Sequence, residues 1–185
     1  GVQPLRIVPT DGVAVIAVAS GRGWRDIFYG AGVACVIEGG QTMNPSTDDF
    51  LKVIKSLDNT DIILLPNNKN VFLAAQQTVK EAQAINKRVI VINTQSMPQG
   101  ISAMLGYIDT REDGVLDDIA DAMREAYTDM ITGEITTAIH ASQLPHLDVK
   151  EGQWIGLVDD QLVVAENTIE MAMNRLLTHT HIQTH

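Results

Sequence analysis

Four short stretches hold most of the side chains in this sequence that could do chemistry: Ser20-Gly21-Arg22-Gly23, Gly39-Gly40-Gln41-Thr42-Met43-Asn44-Pro45-Ser46, Pro66-Asn67-Asn68-Lys69-Asn70 and Thr94-Gln95-Ser96-Met97-Pro98-Gln99-Gly100. All are dense in hydroxyl, amide and glycine, with Arg22 and Lys69 as their positive charges. Together they make a neutral hydrogen-bonding cradle for a carboxylate, a phosphate or a protein backbone. In the second stretch two glycines allow a sharp bend, and Pro45 holds Asn44 extended. Ser46 with Asp49 resembles a capping box. The unpaired N–H groups and dipole of such a helix start favour an anion. The candidate ligand- or partner-binding residues are therefore Arg22, Gly39, Gly40, Gln41, Thr42, Asn44, Ser46, Asn67, Asn68, Lys69, Asn70, Ser96 and Gln99. Ordinary caps and turns use the same residue types, so the argument rests on four such loops occurring together.

Other constellations are weaker. Gly21-Arg22-Gly23 lacks the third glycine of a dinucleotide fingerprint, and no phosphate loop occurs. Asp48-Asp49, Asp117-Asp118 and Asp159-Asp160 read as helix starts and turns rather than acid/base partners. His140 and His146 read as structural or exposed, and His179, His181 and His185 as a frayed end rather than a metal cluster. The single cysteine, Cys35, sits in an apolar run and reads as a small buried hydrophobe. No catalytic residue and no metal ligand is predicted.

Apolar periodicity supplies the elements that position these loops. Gly1 to Gly12, with two prolines and a Thr10-Asp11-Gly12 turn signal, reads as a linker. Apolar runs at Val13–Ala19, Val33–Ile37, Ile62–Leu65 and Val89–Ile92 read as strands, the first covered on both faces. Helices are expected over Trp24–Tyr29, Thr47–Leu57, Val71–Ile85 and Ile101–Leu105, with Phe50, Leu51, Ile54 and Leu57 packing in the second and Leu73, Ala74 and Ala82 in the third. Four strand–helix alternations at roughly 25-residue spacing predict a mainly parallel α/β sheet with right-handed crossovers. In such a sheet, ligands bind outside the carboxyl ends of the strands, where all four polar loops fall. Beyond residue 112 the pattern changes to a helix over Leu116–Met130, a strand over Glu134–His140, a hairpin of Trp154–Val158 with Leu162–Val164, and a helix from Ile169 to Leu177. The expected organisation is a linker (1–12), an α/β domain (13–112), a helix-plus-hairpin extension of that domain (113–178) and a tail (179–185).

With 185 residues and 45% hydrophobic composition, the chain can bury a real core. A formal net charge of −10 argues against nucleic acid or anionic membrane as the main partner. No run of ~18 apolar residues and no basic-then-apolar leader occurs, so no membrane insertion and a cytoplasmic location are expected.

Gly39–Thr47, Leu65-Pro66-Asn67-Asn68-Lys69-Asn70 and Ser96-Met97-Pro98-Gln99-Gly100 occur in an order and spacing that resembles the carboxy-terminal region of the bacterial fatty acid kinase (dihydroxyacetone-kinase-like) family. The similarity runs from Val13 to the last helix and includes Lys150-Glu151-Gly152. It implies a DegV-like fold and a fragment of a larger enzyme, whose amino-terminal domain binds ATP and magnesium and is followed by a middle domain. That enzyme phosphorylates a fatty acid carboxylate carried by a separate DegV-like binding protein. Thr42-Met43-Asn44-Pro45-Ser46 stands where the fatty-acid binders carry Thr-Ser-Gln-Pro-Ser, so Thr42 and Ser46 match and Met43 and Asn44 depart. The family normally continues for another strand and helix. The resemblance therefore implies a noncatalytic domain, with no cofactor of its own, that docks the acyl-carrying protein. The alternative is direct binding of a fatty acid or similar carboxylate at Thr42 and Ser46. A homodimer is compatible with either.

Overall fold

The computed structural model describes residues 5–39, 43–128, 133–138, 141–144, 147–158 and 161–183. Its contacts divide the chain into two compact units, Gly1–Thr128 and Asp129–His185.

Unit 1 is built on four parallel strands, β1 (Ala14–Ala19), β2 (Cys35–Glu38), β3 (Asp61–Leu65) and β4 (Arg88–Val91), in the order β2-β1-β3-β4. β1 is buried at all six positions, as a central strand made of Ala, Val and Ile requires. Five helices connect or follow these strands: α1 (Arg22–Ala31), α2 (Thr47–Ser56), α3 (Phe72–Gln83), α4 (Met97–Thr110) and α5 (Leu116–Thr128). The β1→β2 crossover runs opposite to β2→β3 and β3→β4, so right-handedness places α1 on one face and α2 with α3 on the other. The packing agrees, with α2 against α3, and α4 against both α1 and α5. The strands' carboxyl ends share one edge of the sheet, and β1 and β3 flank its topological switch point.

Phe50, Leu51, Val53 and Ile54 of α2 are buried, with Leu57 at its end, while Lys52 and Lys55 face solvent, as the periodicity predicts. Three readings are corrected. α4 is a 14-residue helix beginning at Met97, not a short one from Ile101. Its first turn tolerates Pro98, whose missing N–H would have no partner there. Leu73, expected in the core, is 74% exposed at the start of α3. Residues 5–12, expected as a linker, lie against unit 1. Val8 N–H donates to Ala34 O (2.8 Å), and the Asn59 amide donates to Thr10 O and Gly12 O (2.7 and 2.8 Å).

The helix expected to open the extension, α5, belongs with unit 1 by its packing on α4. That crossing is close because Gly106 of α4 has no side chain; a Cβ there would come within 2.5 Å of Ala122 O. Tyr107, the next residue, is fully buried and donates its hydroxyl to Val13 O at 2.7 Å. Burial raises its pKa, so the phenol keeps the proton this bond needs.

Unit 2 carries a three-stranded antiparallel sheet of β5 (Gly133–Thr137), β8 (Trp154–Val158) and β9 (Gln161–Glu166), in the order β5-β8-β9. A two-stranded ladder of β6 (Ser142–Leu144) and β7 (Leu147–Val149) has no counterpart in the sequence reading. The hairpin of β8 and β9 is where the apolar alternation places it; Asp159 and Asp160 of its turn, His140 and His146 lie outside the described residues. α6 (Ile169–Gln183) buries Ile169, Ala172, Met173 and Leu176, one stripe at helical spacing, and packs on β8 and β9. Helix continues to Gln183, so the tail expected from residue 179 is helical over most of its length.

Replacing Gly106 with alanine is expected to cost unit 1 about 1–3 kcal/mol, because the added methyl meets backbone rather than a movable side chain. Urea denaturation checks this.

Candidate functional site

At the switch point the chain spends a buried side chain on holding itself together. Asn67 follows β3 in the left-handed conformation, with φ 55°, and is 3% exposed. Asparagine is one of the few residues that adopts this conformation at low cost. Its amide nitrogen donates to Val18 O near the end of β1 (2.9 Å), and its amide oxygen accepts from the Thr94 hydroxyl beyond β4 (2.8 Å). Its backbone N–H donates to the same Thr94 oxygen (3.2 Å). A Cβ at Gly100 would collide with this amide, which explains why a glycine sits in the first turn of α4. One asparagine thus joins β1, β3, the end of β4 and α4 across the crevice where α/β sheets place ligands.

The other strand-end groups are similarly engaged. Ser46 caps α2: its hydroxyl accepts from Asp49 N–H (3.2 Å) and lies 3.0 Å from Asp49 Oδ2, which also accepts from Ser46 N–H (2.8 Å). This is the expected capping box, and Asp reaches far enough to close it. Gly39 is required because a Cβ would lie 2.8 Å from both Val18 Cγ1 and Pro45 Cδ. At the start of α1, Gly21 N–H donates to Glu38 Oε1 (3.0 Å), so the anion at that helix terminus is the protein's own. Asn68 closes a turn by accepting from Asn70 N–H (2.8 Å). Ser96 caps α4 by accepting from Gln99 N–H (3.2 Å), and Gln99 Oε1 accepts from Gln95 N–H (2.8 Å).

The sequence-predicted residues therefore separate into two groups. Gly39, Ser46, Asn67, Asn68, Ser96 and Gln99 are tied into the rim's own structure. Arg22, Asn44, Lys69 and Asn70 are exposed; Arg22 Nε has Asp26 4.0 Å away on its own helix. Gly40, Gln41 and Thr42 lie outside the described residues. Two further side chains stand out on this rim, Met43 and Leu73, 75% and 74% exposed. In sequence they lie close to the residues that join α2 to α3, where the Thr47 hydroxyl donates to Ala74 O (3.3 Å). Sequence periodicity misses Leu73 because an apolar residue in a helix reads as core. Its position in the first turn, beside three asparagines, is the available signal.

Cys35 is buried in β2, and desolvation pushes its thiol up to about 11, so it stays protonated and unreactive near neutral pH. Among the described residues no group of three or more His, Cys, Asp or Glu could hold a metal ion, and no helix is long and apolar enough to cross a membrane. Asn67→Ala is expected to lower stability by about 2–4 kcal/mol, since it removes the side-chain bonds to Val18 O and the Thr94 hydroxyl and puts alanine at a positive φ. Asn70→Ala should stay within about 0.5 kcal/mol of the parent in the same denaturation assay.

Known proteins resemble this chain in sequence and in fold. The profile of the FakA-like fatty acid kinase C-terminal family matches residues 14–184. An uncharacterized protein of Staphylococcus epidermidis is 34% identical over 165 residues, covering 89% of this chain and 29% of that protein. A counterpart in Staphylococcus aureus strain USA300 is 33% identical over 168 residues, covering 89% and 30%. The chain thus spans less than a third of these relatives' length. In fold it is similar to a DegV family protein from Thermus thermophilus, reported for its fatty acid binding, with a TM-score of 0.51 at 13% identity, covering 92% of this chain and 77% of that one. The profile match over residues 14–184 makes the chain a member of the FakA-like fatty acid kinase C-terminal family.

Proposed function

We propose that this chain is the noncatalytic carboxy-terminal domain of a fatty acid kinase. In this reading its strand-end rim docks an acyl-carrying DegV-like protein, so that a separate ATP-binding domain can phosphorylate the fatty acid carboxylate. The observation that carries the reading is the contrast within the rim. Its buried and capping polar groups bond to one another, while Met43 and Leu73 are left exposed among Asn44, Lys69 and Asn70. Exposed apolar anchors surrounded by hydrogen-bonding groups on a rigid frame suit a protein partner.

Direct binding of a carboxylate at Ser46 fits the geometry poorly. The oxygen of Ser46 already accepts from Asp49 N–H, and the Asp49 carboxylate lies 3.0 Å from it. Asp48 and Asp49 occupy the first turn of α2 and complement its dipole, so a second anion there would meet like charge. We assign ATP, magnesium and phosphoryl transfer to a domain outside this chain.

Titration calorimetry with a lipid-loaded DegV-like protein tests the proposal. Met43→Glu and Leu73→Glu should each weaken binding at least about tenfold, because each puts a charge where an apolar anchor is desolvated. Lys55→Ala, in the last turn of α2 away from the rim, should bind as the parent does. Parental affinity in both glutamate variants would remove the rim from the interface.

A further inference from the structure

Among the described residues, Thr47 is the side chain that bonds α2 to α3. Its hydroxyl has one proton and two acceptors within reach, Ala74 O at 3.3 Å and Gln77 Oε1 at 3.1 Å. Ala74 directly follows the exposed Leu73. Gln77 is four residues beyond Leu73 on the same stripe of α3, and helical side chains lean toward the amino end, so Gln77 reaches back toward Leu73. Thr47 is itself held in place, because Ser46 before it is locked into the capping box and Pro45 is buried where it closes on Gly39. Met43 is four residues before Thr47, a span of at most about 14 Å. Folding does not require these bonds. Gln77 is exposed, so water can replace its partner, and Ala74 O also accepts from the Thr78 hydroxyl at 2.8 Å.

We infer that Thr47 and Gln77 are positioning residues of the docking face: a clamp between the starts of α2 and α3 that fixes Leu73 against the loop carrying Met43. This rests on the docking reading and names the residues that set its geometry. An anchor held in place before binding loses less freedom on binding, so the clamp acts on affinity through Leu73. Thr47 does this without touching the partner, since its one proton is already committed to α3.

Titration calorimetry with a lipid-loaded DegV-like protein, beside urea denaturation of the same variants, tests it on the full chain. Thr47→Val keeps the side chain's shape and loses the hydroxyl; it should weaken docking about fivefold with the parent's urea midpoint retained. Thr47→Ser restores the hydroxyl and should restore parental affinity. In a Leu73→Ala background, Thr47→Val should change affinity by less than about twofold, because the anchor it places is gone. Parental affinity in Thr47→Val overturns the clamp. An equal loss with and without Leu73 makes Thr47 a direct contact and overturns its positioning role. If Thr47→Val does not fold, the exposed Gln77→Ala decides: about threefold weaker docking that vanishes in the Leu73→Ala background supports the clamp, and parental affinity overturns it. A parent chain that does not bind overturns the docking reading and the clamp with it, whereas a parent that binds as tightly as Thr47→Val overturns the clamp alone.

Discussion

The side-chain amide of Asn67 spans the gap between β1 and the loop after β4, and the arrangement of the rim follows from it. At the switch point of a parallel sheet the connections diverge, leaving strand-end carbonyls such as Val18 O without a ladder partner. A buried unpaired carbonyl costs about 1–3 kcal/mol, so something must meet it. Here the chain supplies the donor, and the requirement propagates. Asn67 must be left-handed to aim its amide, Thr94 must offer a hydroxyl, and Gly100 must lack a side chain. The crevice is thereby spanned by the protein's own polar group.

The same economy recurs along the rim and explains its surface character. Asp49 turns back on Ser46, Glu38 turns back on Gly21, and Gln99 turns back on Gln95. These three side chains, like Asn67, are engaged by the rim itself. Among the described residues, what remains for an outside molecule is a surface tied by its own hydrogen bonds, with Met43 and Leu73 and a scatter of exposed polar side chains. Stiffness lowers the ordering cost of association, which lets a few anchors contribute most of the binding energy. The relation to a DegV-type fold fits this view, because a fold shared with a protein reported to bind fatty acid need not preserve the site.

How much of this is legible in the sequence depends on how local each interaction is. The four parallel strands and α2 can be read because burial on both faces, or on one helical stripe, leaves a periodic trace. The Ser46–Asp49 box spans three residues and is legible because it too is local. α4 reads short because Pro98 and Gly100 look like breakers, although one is tolerated in a first turn and the other makes room for Asn67. The role of Asn67 itself leaves no local sign: its partners lie 49 and 27 residues away, and the three asparagines after Pro66 look alike. β6 and β7 have three residues each, too few to show alternation. Residues 5–12 read as a linker because most of their contacts are backbone bonds and a ring face, and a lone Ile7 on the core makes no pattern in residue type.

The central claim, that the strand-end rim is the face meeting an acyl-carrying protein, is tested most directly by hydrogen exchange on this chain with and without a lipid-loaded DegV-like protein. Slowed exchange should be confined in unit 1 to the amides around Gly21–Gly23, Met43–Ser46 and Asn67–Leu73, with the α4–α5 turn at residues 111–115 unchanged. Protection at 111–115 with an unchanged rim would contradict the account.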